Sequence, residues 1–298
     1  MVMHVMVMHR TMTRDVLPIT AASDDEVAYF AQRRRRDERG ARLYRDLAAQ
    51  APNGAFTARD DGTPIGIAFA HALEDEWFLS ELFVEPSFRG QGLGLALLSA
   101  AAQDAGDVTR SGYASSAELE AAAFLTRRGV ALATPVLQVS GALPSEKELA
   151  RMAAGEYRFQ TSELEPSVFQ HALNELDREV RGSARPLDHA YFSEHARGIV
   201  FTRQAEIAGY AYVWNSGRIG PVVVASEAYA IQIFGFALAA LHGMYRATWC
   251  SMLVPGSNVR IARTAMRAGL QLEGLGYFAS DARAIDLSRY VGFDELLF

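Results

Sequence analysis

The chain has 298 residues, half of them hydrophobic and 21% charged, the composition of a soluble folded protein and not of a disordered or fibrous one. Twenty-nine basic against 35 acidic side chains leave a formal charge of −6, which offers no field to a polyanion and speaks against nucleic acid as a partner. A single cysteine, Cys250, permits neither an internal disulfide nor a cysteine-based metal site and points to a reducing, cytoplasmic setting; no apolar run reaches the ~18 residues of a membrane span.

Length alone favours two domains. Residues 1–14 read as a disordered or extended start. Asp15 to Thr20 reads as a strand, and Ser23 with Glu26 three residues later is a capping box that opens a helix toward Arg36. The run Arg33 to Arg36 reads as a solvated helix face. A second helix spans about Glu38 to Gln50. Ala55 to Arg59 and Pro64 to Leu73 form a hairpin around Asp60-Asp61-Gly62-Thr63, and Trp77 to Val84 is a buried central strand closed by Glu85-Pro86. Helices follow from Gly94 to about Gln103 and from Ser116 to Arg128, the latter stopped by Gly129, and Ala131 to Val139 returns to strand.

Ser145 to Gly155 is a polar helix suited to a linker. Beyond it the order repeats: strand near Tyr157 to Gln160, helix Pro166 to Val180, hairpin Ile199 to Trp214, strand Ile219 to Val224, helix Ala228 to Leu241, strand Ala247 to Leu253, helix Asn258 to Ala268 and strand Gly274 to Ala279. The chain reads as a duplicated unit, with residues 15–142 and 156–298 as domains and 143–155 between them. Ile219 to Val224 is expected at the centre of its own sheet.

Arg89-Gly90-Gln91-Gly92-Leu93-Gly94, between strand and helix, carries the chemistry. Three glycines in five positions let the backbone take conformations a Cβ forbids and let a ligand approach the amides. The unpaired N–H groups of the following helix, with its dipole, suit a pyrophosphate. The Gly-x-Gly-x-x-Gly dinucleotide pattern is not met. The stretch Leu82 to Leu98 resembles the acetyl-CoA signature of the GNAT superfamily of N-acetyltransferases, a loop Arg/Gln-x-x-Gly-x-Gly/Ala after a strand ending Val-x-Pro: Arg89, Gly92 and Gly94 match the loop, Val84 and Pro86 the strand end. The resemblance covers residues 15–140. It implies an α+β fold of two tandem acyl-CoA N-acyltransferase-like domains, each a splayed, mostly antiparallel sheet flanked by helices. It also implies that acetyl-CoA is held by Leu82, Phe83, Val84, Arg89, Gly90, Gln91, Gly92, Leu93 and Gly94. At the matching place the second half reads Ile219 to Ala230 with no glycine cluster, so it resembles a GNAT domain that has lost the loop, and no coenzyme is expected there. Asn258 fits the family's asparagine at the head of the fourth helix.

Acetyl transfer needs a proton acceptor for the ammonium and donors for the thioester oxyanion. Glu81 interrupts the apolar strand, where an unpaired carboxylate costs several kcal/mol, so it is either a base facing a cationic substrate or half of an ion pair to an arginine of the first two helices. Asp75 and Glu76 are alternates for the base or else solvated turn residues, and His71, beside the presumed acceptor cleft, is a surface or core histidine or else a base. Where the family carries its acid tyrosine this chain has Leu125, and Ala265 in the second half; Tyr113, near a strand end, is either the substitute or a packing residue. The expectation is transfer from acetyl-CoA to a small, cationic amine by a monomer or homodimer without metal. The alternatives are a non-catalytic acetyl-CoA sensor and a purely structural protein, the second disfavoured by the intact loop.

Overall fold

The computed structural model describes residues 17–298 apart from 52, 104 and 282–284, so the expected disordered start at 1–14 lies outside the described residues. The first half runs β1 (Ile19–Ala21), α1 (Asp24–Arg33), α2 (Glu38–Gln50), β2 (Phe56–Asp60), β3 (Thr63–Ala72), β4 (Glu76–Val84), α3 (Leu93–Ala101), β5 (Thr109–Ser115), α4 (Leu119–Thr126) and β6 (Ala131–Ala142). The capping box forms as read: Ser23 Oγ accepts the Glu26 N–H and the Glu26 carboxylate accepts the Ser23 N–H. Val27 and Phe30 of α1 and Leu43, Tyr44 and Leu47 of α2 pack onto Ile67, Phe69, Phe78 and Phe83 on one face of the sheet. On the other face α3 seats Leu93, Leu97 and Ala101 against Ile65, Ala68, Trp77 and Val84.

α5 (Glu146–Ala153) leads to β7 (Gln160–Glu163), α6 (Pro166–Arg181), α7 (Pro186–His195), β8 (Arg197–Arg203), β9 (Glu206–Val213), β10 (Ile219–Val224), α8 (Ala230–Tyr245), β11 (Trp249–Pro255), α9 (Val259–Arg267), β12 (Gln271–Ser280) and β13 (Tyr290–Val291). α7 was not foreseen. Its signals are in the chain: Gly182 ends α6 in a left-handed conformation, and Pro186 takes the first helical turn, where its missing N–H costs nothing. The stretch Glu227–Tyr245 is long and apolar enough, by composition, to cross a membrane, contrary to the reading of the sequence. In the fold it is mostly α8, a core helix that buries Ile233, Phe234, Ala237, Leu238 and Leu241 against β9, β10 and α5.

The α+β class and the tandem order stand as expected. Adjacency in sequence does not disclose that the halves exchange strands. One sheet has the order β1-β2-β3-β4-β5-β12-β6-β11 and the other β13-β10-β9-β8-β7. β12, from the second half, lies between β5 and β6 of the first, antiparallel to both, while β6 lies between β12 and β11. The expectation for Ile219–Val224 is corrected: β10 is next to the edge strand β13, because the C-terminal segment takes one flank and β11 touches the other end only through an Arg218–Ser251 bridge.

Candidate functional site

β4 and β5 are parallel and pair only from Glu76–Thr109 to Leu79–Gly112; beyond that point they part. The gap is bounded by Ser80 to Val84 on one side and Tyr113 to Ser115 on the other. The N–H of Glu85 donates to Ile65 O on β3, so by strand alternation the backbones of Leu82 and Val84 face away from β3, into the gap. Phe83 instead turns its backbone to β3 and its ring to Phe30, 5.8 Å away.

At the end of this gap Gly90 and Gly92 hold φ of +75° and +85°, and a Cβ at either would meet nothing within 4 Å: their freedom serves the backbone, and the space beside them is open. Gly92 caps α3 without a side chain, so the first amides of α3, at Leu93 and Gly94, carry the unpartnered N–H groups and positive dipole end of a helix start. A Cβ on Gly94 would make only ordinary contacts with Phe124 and Val84. Arg89 Nε donates to Val84 O at 2.9 Å and its guanidinium pairs with Glu120, while the Gln91 amide donates to Ser87 O, so both side chains fix the loop.

Glu81 is 5% exposed and is not alone: Arg34 Nε donates to Oε2 at 3.2 Å and Arg36 approaches it at 3.8 Å. Arg34 also donates to Glu118 at 2.7 Å, and Arg36 lies 3.9 Å from Glu295. The reading of Arg33 to Arg36 as a solvated face is therefore corrected. Arg33, turned to Glu85, and Arg35 stay exposed; α1 ends at Arg33, and the turn carries Arg34 and Arg36 inward over the buried carboxylate. Tyr113, on β5 just past the separation, accepts a hydrogen bond from Gln138 Nε2 at 3.1 Å, and burial with the nearby Glu295 raises its hydroxyl pKa. Gln138 also donates to Glu295 at 2.5 Å. Gly274 and Gly276 of β12 lie beneath these groups: a Cβ on Gly276 would overlap the Tyr113 hydroxyl and one on Gly274 the Gln138 amide. Thus the first half's gap is floored by a strand of the second.

Asp75 and Glu76 do not belong to the opening, and Glu76 is not a solvated turn residue. It is buried, hydrogen-bonded to Ser111 and paired with the fully buried Arg181 at 2.7 Å. His71 is a core histidine, 2.5 Å from Asp188, which Arg185 holds at 2.9 Å; next to it Asp177 joins His189 and Tyr210. With α6 and α7 this network fastens the two halves. Cys250 is buried, and burial pushes its thiol up to about 12.

The second half closes both features that the first leaves open. Tyr290–Val291 pairs with Val222 and Val223, and Gly292 N–H donates to Leu253 O at 2.7 Å, so the C-terminal segment fills the space between β10 and β11. Over the start of α8, where Tyr229 stands at the cap, Tyr157 and Phe159 pack on Tyr229 at 4.8 and 5.3 Å, and Gln232 donates to Tyr157 O. Asn258 caps α9, accepting the Ile261 N–H and donating to Tyr290 O.

A cleft of about 300 Å³ lies where the halves meet, lined by Asp37, Arg39, Gln138, Ser140, Ser216, Arg218, Trp249, Ser251, Glu273 and Glu295, with Val139, Met252 and Leu253. Gln138 and Glu295 connect it to Tyr113. Of these residues none was singled out from the sequence: they come from α2, β6, β11, β12, the β9–β10 loop and the tail, and no spacing reports their convergence.

Residues 20–130 match the model of the acetyltransferase (GNAT) family. No curated protein matches the chain significantly. Among solved structures, a Pyrococcus horikoshii protein described as an acetyltransferase has 16% identity and a TM-score of 0.69, over 97% of this chain and 99% of its own. A GCN5-related N-acetyltransferase from Sphaerobacter thermophilus has 19% identity and a TM-score of 0.60, over 92% and 99%. A tandem GNAT protein from the clavulanic acid biosynthesis pathway has 18% identity and a TM-score of 0.59, over 90% and 99%.

Proposed function

We propose that this chain, whose first half is a domain of the acetyltransferase (GNAT) family, moves an acetyl group from acetyl-CoA to the primary amine of a small acceptor. The observation that carries the reading is the coincidence of three features at one place: the gap between β4 and β5, the cap-free start of α3, and two left-handed glycines with open space beside them. The amides of Gly92, Leu93 and Gly94 bind the pyrophosphate, with Gly90 and the Arg89 and Gln91 contacts shaping the loop. Leu82 and Val84 pair with the pantetheine as with an added strand, and Phe83 supports them from the core.

The thioester then lies in the gap with Glu81 and Tyr113 at its sides. The acceptor arrives as an ammonium ion and gives up a proton; its nitrogen attacks the carbonyl carbon, backbone N–H groups near Val84 meet the oxyanion, and the C–S bond breaks. The sulfur leaves with a proton from Tyr113, and the new amide nitrogen sheds its second proton, which returns through water to the Tyr113 oxygen. Glu81 takes the ammonium proton, directly or through water. The two arginines favour a second reading in which Glu81 only organises Arg34 and Arg36 and water is the base. Thiol release from acetyl-CoA against a panel of amines tests the activity. Tight binding without release for any amine would leave a sensor protein instead.

A further inference from the structure

The cleft between the halves has two poles. One is the group already described, Gln138 and Glu295 beside Tyr113. The other lies one residue pair along the sheet: on β6 and β11, Ser140 stands opposite Ser251 as Gln138 stands opposite Leu253, so the poles are about 7 Å apart. Arg218 belongs to this second pole, bridged to Ser251 through the backbone. Its side chain is 18% exposed, and its only side-chain partner among the described residues is Asp294 at 3.7 Å, beyond hydrogen-bonding reach. Asp294 is already engaged by Arg39 at 2.9 Å, and Arg39 Nη1 has no hydrogen-bond partner among the described residues, its guanidinium lying over the Phe293 ring. Two guanidiniums therefore share one carboxylate in a half-buried place, and burial pulls the Arg218 pKa below the usual arginine value. A guanidinium at a cleft with no hydrogen-bonded acceptor in the protein keeps its donors open to an acceptor that enters.

The acidic liners do not fill that deficit. Asp37 accepts from the Gly40 N–H at the start of α2, Glu295 is bonded to Gln138, and Glu273 stands exposed at a register shift of β12. Ser140, Ser216 and Ser251 add hydroxyls around Arg218, and the half-exposed Trp249 provides a wall.

We propose that Arg218, with Arg39 and the three serines, binds a carboxylate of the acceptor, so that the substrate is a small amino acid-like molecule with its amine at the Tyr113–Glu295 pole. The inference rests on the acetyltransferase reading and adds to it: the acceptor is zwitterionic and not merely cationic, and the half without a coenzyme loop contributes the group that selects it. About 300 Å³ is at the small end of ligand pockets, which suits one such molecule.

The test compares matched amines, amino acids against their carboxamides and decarboxylated amines, with phosphorylated amines as a third arm, by thiol release. Carboxylates should give the higher kcat/KM by roughly 10- to 100-fold, the worth of charge-assisted hydrogen bonds. In Arg218→Gln this preference should vanish while calorimetric acetyl-CoA affinity holds, and Arg218→Lys, which keeps charge without the planar fork, should restore part of it. Equal or better turnover of the uncharged analogues by the natural protein overturns the proposal, as does preference for phosphorylated amines or a preference that survives in Arg218→Gln. Should no amine be turned over, the acetyltransferase reading fails first. Carboxylate binding is then measured by calorimetry with acetyl-CoA present: Arg218-dependent binding upholds this site, and its absence removes it.

Discussion

Gly276→Ala tests whether Tyr113 serves the reaction from the place where β12 leaves room for it. The new Cβ would come within 2.8 Å of Tyr113 Cε1 and overlap the hydroxyl, whereas ordinary contact begins near 3.4 Å. The ring edge must therefore retreat by more than half an ångström and the hydroxyl by more, which breaks its 3.1 Å hydrogen bond from Gln138. Overpacking of this kind costs about 1–3 kcal/mol in stability. A misplaced acid costs turnover about 10²–10⁴-fold. Steady-state thiol release with the best amine should show kcat reduced by that range in Gly276→Ala and to a similar extent in Tyr113→Phe, which removes the hydroxyl without crowding. Acetyl-CoA affinity by calorimetry should stay within about threefold in both, since the loop is held by Val84, Ser87 and Glu120 and opens α3. If either variant keeps kcat within twofold of the natural protein, Tyr113 is not the proton donor and the glycines of β12 serve packing only.

Acetyl-CoA should titrate to one site per chain, and Gly92→Asp should abolish that heat by placing a carboxylate where the pyrophosphate sits; two equivalent sites would refute the account of the second half. Glu81→Gln should lower kcat by about 10²–10⁴ if Glu81 is the base, whereas an unchanged rate with a lower Tm would assign it to the Arg34–Arg36 cluster. Removing one partner of the buried pair by Glu76→Gln should cost about 3–5 kcal/mol in urea unfolding, and a loss under 1 kcal/mol would show that the halves are not fastened there. Asp188 is held below the usual carboxylate range against the opposing effect of burial, by His71 and Arg185. Its stabilising contribution is complete above the unfolded value of about 4 and is lost as pH falls below it, so stability should decline from about pH 4 downward. Asp188→Asn should flatten that decline.

Local signals carried much of this structure. The bounds of α2 and β10 coincide with their apolar patterns, and the capping box at Ser23 forms because it needs only four neighbouring residues. The loop from Arg89 to Gly94 is legible for the same reason: its chemistry is a backbone conformation written in glycines. Glu81 was legible as a problem, a carboxylate in an apolar strand, but not as a solution, because Arg34 and Arg36 reach it across 47 and 45 positions of chain. Glu76 and His71 were misjudged or left open on the same ground; Arg181 and Asp188 lie more than a hundred residues away. Alternation along β12 marks a strand and says nothing of which strands it will join.

The exchange of β6 and β12 has a consequence for how the polypeptide is born. While it leaves the ribosome from its N-terminus, the first half cannot complete its sheet: the place between β5 and β6 stays vacant until Gln271–Ser280 has been synthesised. Through most of translation, therefore, two strand edges stand unpaired, the kind of surface that recruits a neighbouring chain or a chaperone. Co-expressing the halves as separate polypeptides should accordingly yield a soluble pair, and either half expressed without the other should aggregate.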